Sequence, residues 1–375
     1  MSILEKLDKN YADQTVGGDN FDEYVIPCEP FTIYGATYYE NEGFHKMPLD
    51  YVKTLNYGRY WGSRVTTGVR ITFSTDANKI KIKTRYFDLV KSVKSSILGN
   101  HGFFICEVMP DGEERYARSF MPPYYTKDGK NYDESDTHIF EGLLRGGMRN
   151  YVMYLPTYSG VSELTIMFNE GAKVEKFEPY NKLKPILFYG NSITEGASAT
   201  RPDTNFACII CKKTKTDIIN YSISGGAKGQ PEDVEFLKGV DCSVFVCDYD
   251  ANAPDANHLR ETHLPLYKAF RETHPETPII FLTMSSYFRD TYWKDGGRAK
   301  RDEAIFETYK YAIENGDKNV YLIKGKEMVP REIREMAFLD VHPNDIGHYF
   351  IANRVLQTLK PILEELIKKG TANKN

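Results

Sequence analysis

The hydrophobic rhythm of this chain changes once, near residue 180, and that change limits the fold more than any other feature. From about residue 20 to 180 apolar and polar residues alternate with period two, as in Gly68-Val-Arg-Ile-Thr-Phe-Ser-Thr75 and Lys79-Ile-Lys-Ile-Lys-Thr-Arg-Tyr86. The turn residues Thr75-Asp-Ala-Asn78 lie between these runs, and similar short runs follow at 102–108, 151–155 and 162–168. Half-buried strands with turns at short spacing predict an antiparallel β-sandwich. After Phe177-Glu-Pro-Tyr180 continuous apolar strands take over, at 185–189, 217–223, 243–247, 278–284 and 319–323. Helical patterns near 204–214, 257–274, 300–315 and 345–369 separate or follow them. Strands apolar on both faces and alternating with helices predict a parallel sheet covered on both sides. An α/β class with two domains, 1–180 and 181–375, is therefore expected.

A chain of 375 residues is long enough for two cores. Its net charge of -4 and short basic runs (Lys212-Lys213, Lys368-Lys369) give no clustered cationic surface, so no nucleic-acid partner is expected. No apolar run approaches the roughly 20 residues of a membrane span, so no membrane partner is expected. Met1 to Asn20 lacks the basic, apolar and small-residue blocks of a signal peptide, and a cytoplasmic location is expected. The six cysteines are scattered. Cys208-x-x-Cys211 has no second CxxC and falls in a helical run, so it reads as packing rather than a metal or redox pair. The oligomeric state has no signature in the sequence.

Open parallel sheets form their sites at the carboxyl ends of the strands. There the first strand leads into Gly190-Asn-Ser-Ile-Thr-Glu-Gly196, the second into Ser222-Ile-Ser-Gly-Gly226 and the third into Asp248-Tyr-Asp-Ala-Asn-Ala-Pro254. Asp340-Val-His-Pro-Asn-Asp345 precedes the last helix. A serine, a glycine, an asparagine and a histidine thus converge on one edge. Acyl transfer uses such a set: a base activates the hydroxyl, and fixed donors receive the oxyanion.

These four blocks resemble, in order, those of the SGNH (GDSL-like) hydrolases, whose first block is written GDSxTxG. The resemblance implies a flavodoxin-like parallel sheet, preceded here by a jelly-roll-like sandwich, and no metal or organic cofactor. It implies Ser192 as nucleophile and His342 as base. It implies an oxyanion hole from the Ser192 N–H, the Gly225 N–H and the Asn252 amide. Asn191 stands where many members carry aspartate. The family's acid commonly lies three residues before the histidine, where this chain has Leu339; Asp340 is the candidate orienter, with a backbone carbonyl as the alternative. Two-domain relatives act largely on acylated sugars, which implies a small-molecule or oligosaccharide ester as substrate.

The expected function is hydrolysis of a short acyl ester, acetyl first, on a carbohydrate or similar polar alcohol. Acyl transfer through the same serine and sugar binding by a vestigial site are the alternatives. Arg201, just past the serine loop, is a candidate substrate contact, as are walls from 285–300. Asp345-Ile-Gly-His348 repeats the Asp-x-x-His spacing but would lie inside the last helix. His258, His263 and His274 lack ligand spacing and read as packing or surface residues. Tyr57-Gly-Arg-Tyr-Trp61 reads as sandwich core.

Overall fold

The computed structural model describes residues 7–8, 20–89, 95–122, 137–285 and 297–372. Two antiparallel sheets come first. One orders its strands Phe21–Val25, Val161–Asn169, Lys79–Tyr86 and His138–Leu143. The other orders Val174–Glu175, Arg70–Thr75, Arg149–Tyr154, Phe103–Val108 and Glu114–Phe120, with Thr32–Tyr34 also paired to Arg70–Thr75. Phe73, Ile82, Ile105, Tyr151 and Phe168 interdigitate between the sheets. The strands flanking Thr75-Asp-Ala-Asn78 lie in different sheets and form no hairpin. That connection turns a corner: Ala77 is buried, and its N–H donates to Thr75 Oγ1 at 3.1 Å.

Five parallel strands follow, in the order Ile218–Asn220, Ile186–Gly190, Val244–Asp248, Ile279–Leu282, Val320–Ile323. This is the doubly wound order in which the chain reverses direction beside the first strand. Phe188, Val246 and Ile280 face one helical layer, built from Phe206–Thr214 and Asp345–Ala372. Leu187, Phe245 and Phe281 face the other, built from Ala256–Thr273 and Gly297–Glu314. The continuous apolar runs of these strands are thus explained by burial on both faces. No helix among the described residues is long and apolar enough to cross a membrane.

The second antiparallel sheet is also buried on both faces. Ile105, Tyr151 and Met153 point into the sandwich, whereas Phe104, Cys106, Val152 and Tyr154 pack against Phe206, Cys208 and Cys211 of the first helical layer. Cys208 and Cys211 are fully buried, and desolvation pushes their thiols up to about 12 and about 11. They behave as small apolar residues. Arg70 crosses the same contact, reaching Asp217 Oδ1 at 2.6 Å and Cys211 Sγ at 2.9 Å.

One expectation is corrected. Tyr57-Gly-Arg-Tyr-Trp61 lies outside the sandwich core, on a helix over Tyr57–Arg64 whose N-terminal N–H groups are capped by Asn56. Gly62 lets this helix approach Ile223, since a Cβ there would come within 2.6 Å of the Ile223 side chain. The helix therefore braces the second active-edge loop rather than the β core.

Candidate active site

Ser192 opens a single-turn helix, Ser192–Glu195, directly after the first parallel strand. The turn is tight: a Cβ at Gly190 would sit 2.3 Å from Thr194 Oγ1 and 2.8 Å from Asp248 O. Asn191, not Ser192, caps the helix, accepting the Ile193 N–H at 2.7 Å. Asn191 Nδ2 donates to Asp248 O at 2.7 Å, a bond an aspartate could not make. The departure at Asn191 thus ties the first and third strand ends together and leaves the serine side chain free.

His342 reaches that serine from a two-stranded ribbon, Phe338–Leu339 with His342–Pro343. Asp340 and Val341 form the turn, Asp340 at φ 63°, a left-handed conformation that aspartate tolerates better than most residues. His342 Nε2 lies 2.9 Å from Ser192 Oγ. Leu339 is the direct cross-strand partner of His342, so the family's acid position still adjoins the imidazole but carries no carboxylate. Asp340 is exposed at the turn. His348 is buried one turn into the last helix; its Nδ1 lies 3.3 Å from the Phe206 N–H and its Nε2 3.1 Å from Ala197 O. Desolvation lowers it to about 4, so it is a neutral strut that clamps the serine loop to the last helix.

Ser192 and His342 line a cavity of about 510 Å³ with Tyr158, Ser224, Gly225, Lys228 and Asn252 among its other walls. Ser95, Asn100 and Tyr158 come from the β-rich half of the chain. Arg201 does not line it. Its guanidinium pairs with Asp203 at 3.1 Å and stacks on Phe104 at 4.4 Å, beside a different depression. The structure does not bring Arg201 to the cavity as expected: the buried carboxylate of Asp203, two residues along the chain, and the Phe104 ring hold its side chain elsewhere. Of the walls sought in 285–300, residues 286–296 lie outside the described residues.

The three expected oxyanion donors gather at the cavity, but two are engaged. The Gly225 N–H donates to Asn252 Oδ1 at 2.9 Å. Asn252 Nδ2 donates to Ile223 O at 3.0 Å and to Ala227 O at 2.9 Å. Two carbonyls on one side and an N–H on the other fix the orientation of the amide. Asn252 thus knots the 223–227 turn, in which Gly225 takes φ 67°. The Gly225 N–H is freed for an oxyanion when its bond to Asn252 Oδ1 opens, and the Asn252 amide when it releases the Ile223 or the Ala227 carbonyl. The Ser192 N–H, at the first position of its helix, has no partner among the described residues.

Sequence reasoning missed what supports this edge. Lys46 Nζ, fully buried, donates to Glu195 Oε1 at 2.6 Å and to Ser222 O at 2.5 Å. Glu195 Oε2 accepts the Ser224 N–H at 2.9 Å and the Ser224 hydroxyl. Tyr158 Oη stands 3.0 Å from Ser224 Oγ. A lysine flanked by Phe44, His45 and Met47 was the one available signal: a lone charge inside an apolar run is buried only if paired. The helix histidines are structural. His263 is wedged between the Tyr249 and Phe281 rings, His274 stacks on Phe270, and His258 Nε2 lies 2.8 Å from Lys228 O. Among the described residues no three His, Cys, Asp or Glu side chains group to hold a metal ion.

A serine hydroxyl within hydrogen-bond reach of a histidine, at the carboxyl edge of a doubly wound sheet, is the arrangement of an α/β serine-hydrolase-like architecture. Residues 183–363 match the GDSL-like lipase/acylhydrolase family, and residues 25–174 match the N-terminus of SGNH-hydrolase-type esterases. The chain belongs to the SGNH/GDSL-type hydrolases, in the form with an N-terminal β region, and is a carboxylic ester hydrolase by class. A Bacteroides ovatus protein described as a GDSL-like lipase shares the fold, with a TM-score of 0.80, 22% identity, and coverage of 92% of this chain and 98% of its own. A salicylyl-acyltransferase from a tetracycline biosynthetic pathway gives 0.76, 17%, 91% and 97%. A family two carbohydrate esterase from Cellvibrio japonicus gives 0.61, 11%, 92% and 99%. No curated protein matches this chain.

Proposed function

We propose that this chain hydrolyses a short acyl ester, acetyl first, of a carbohydrate or similar polar alcohol through an acyl-Ser192 intermediate. The observation that carries the reading is the 2.9 Å approach of His342 Nε2 to Ser192 Oγ inside the cavity. His342 takes the hydroxyl proton as Ser192 Oγ attacks the ester carbonyl, then gives it to the leaving alcohol. Water enters by the same path, and the acyl group leaves as the carboxylic acid. The Ser192 N–H is the first oxyanion donor; the Gly225 N–H joins it if its bond to Asn252 Oδ1 opens, and the Asn252 amide if it releases the Ile223 or the Ala227 carbonyl. Residues 181–375 are proposed as the catalytic unit and 1–180 as the accessory unit that walls the cavity. Support for a sugar alcohol comes from the polar lining (Ser95, Asn100, Ser198) and from carbohydrate esterases of the same fold.

The test is a series of p-nitrophenyl acetate, butyrate and octanoate, followed by acetylated sugars. Activity that falls with chain length and releases acetate from a sugar is expected. Preference for octanoate would overturn the short-acyl reading. A second reading, transfer of the acyl group to an alcohol, is favoured by the salicylyl-acyltransferase of the same fold. Acyl-sugar rather than free acid as the product with added acceptor would establish it.

We further propose Asp340 as the orienter of His342, since it opens the two-residue turn that leads into the imidazole's strand. Asp340→Asn is expected to lower kcat roughly 10²- to 10⁴-fold, the range spanned by general-base catalysis. A rate within twofold of wild type, measured on p-nitrophenyl acetate, would assign the role to a backbone carbonyl.

A further inference from the structure

We propose that the Tyr158 hydroxyl donates a hydrogen bond to the ester oxygen that becomes the oxyanion, and that Lys46 and Glu195 hold it ready through Ser224. The inference rests on the reading of Ser192 as nucleophile. It starts from a deficit. With the Gly225 N–H bound to Asn252 and both Asn252 N–H groups bound to main-chain carbonyls, the Ser192 N–H stands alone, and a tetrahedral intermediate is poorly served by one donor.

Tyr158 offers another. Its Oη lines the same cavity, 3.4 Å from the Ser192 carbonyl oxygen and 3.0 Å from Ser224 Oγ. The Ser192 carbonyl already accepts from the Gly196 and Ala197 N–H groups at 3.1 and 2.9 Å. Ser224 gives its own hydroxyl proton to Glu195 Oε2, so its oxygen accepts from Tyr158. Glu195 in turn is fixed by Lys46 at 2.6 Å. The proton order therefore runs one way: Tyr158 to Ser224, Ser224 to Glu195, Lys46 to Glu195. A phenol proton re-aims by rotation about its C–O bond, whereas the Gly225 N–H and the doubly bonded Asn252 amide cannot turn without breaking the 223–227 knot. Burial, and then the Glu195 charge, hold the phenol well above its usual range, so it stays a donor throughout the working range of a serine esterase. The β-rich half of the chain thereby contributes a catalytic group and not only a wall.

The test uses a fluorophosphonate, whose phosphoryl oxygen occupies the oxyanion position and whose reaction needs no knowledge of the natural substrate. Tyr158→Phe is expected to lower the maximal inactivation rate of the full-length protein ~100-fold, the lower range for loss of one oxyanion donor. Probe affinity should change less than about threefold and the unfolding midpoint should not move, because only one oxygen is removed. Ser224→Ala, which leaves the phenol in place but undirected, is expected to give a smaller loss in the same rate. A Tyr158→Phe rate within twofold of wild type would overturn the inference, as would a loss confined to probe affinity. A wild-type protein that is not labelled at Ser192 would instead sink the nucleophile reading on which the inference stands.

Discussion

Ser192→Ala is expected to abolish ester hydrolysis, with a fall in kcat on p-nitrophenyl acetate of roughly 10⁴-fold or more. Removing the nucleophile of a comparable Ser–His machine costs about 10⁶-fold, and what remains comes from binding and the oxyanion donors alone. Ser224 also lines the cavity, but its proton is committed to Glu195, and His342 Nε2 is directed at Ser192 Oγ. The loss should be chemical rather than structural. Asn191 supplies the helix cap, so alanine at 192 keeps every helix hydrogen bond, and an unchanged unfolding midpoint is expected. Fluorophosphonate labelling should vanish with the activity. Hydrolysis above about 1% of wild type in Ser192→Ala would remove Ser192 from the mechanism; labelling that survives the substitution would do the same.

The fold and the meeting of Ser192 with His342 were legible because each rests on local chemistry. Leu187, Phe245 and Phe281 sit in unbroken apolar runs because helices cover both faces of the parallel sheet. Gly190 and Asn191 announce the strand-to-helix turn, since one must lack a Cβ and the other must both donate and accept. What stayed hidden depends on distant partners. Arg201 looked like a substrate contact because its sequence neighbour is the serine loop; Asp203 and Phe104 take it elsewhere. Asn252 looked like an open donor because its position in the block order says nothing of the carbonyls of Ile223 and Ala227. Tyr57–Trp61 looked like sandwich core because aromatic residues favour sheets, yet the Asn56 cap and the contact of Gly62 with Ile223 make it a helix. Lys46 and Tyr158 each lie far along the chain from Glu195, and no period or spacing links the three.

Glu195→Ala is expected to cost about 3–5 kcal/mol of folding stability, the penalty for leaving a buried charge without its partner. Lys46 is 3% and Glu195 1% exposed, so water cannot reach the ammonium that the substitution abandons. Burial already pushes Lys46 below the usual lysine range, and the Glu195 charge and hydrogen bond are what oppose that shift. The direction of a second substitution separates this account from simple loss of packing. Lys46→Met in the Glu195→Gln background removes both charges and keeps the volume nearly constant. Replacing a buried pair by uncharged residues of similar size is often neutral or better, so the double variant should be more stable than Glu195→Ala and than Glu195→Gln alone. Urea unfolding midpoints of these proteins, of Lys46→Met alone and of wild type measure this. A double variant as unstable as the sum of its two singles would show that the side chains act independently. Stability and activity should then part company. The double variant regains its fold, but a neutral amide in place of the Glu195 carboxylate accepts the Ser224 hydroxyl proton more weakly. Its esterase kcat should therefore stay below wild type although its unfolding midpoint has recovered. Full recovery of both would confine the Lys46–Glu195 pair to holding the β-rich half against the catalytic edge.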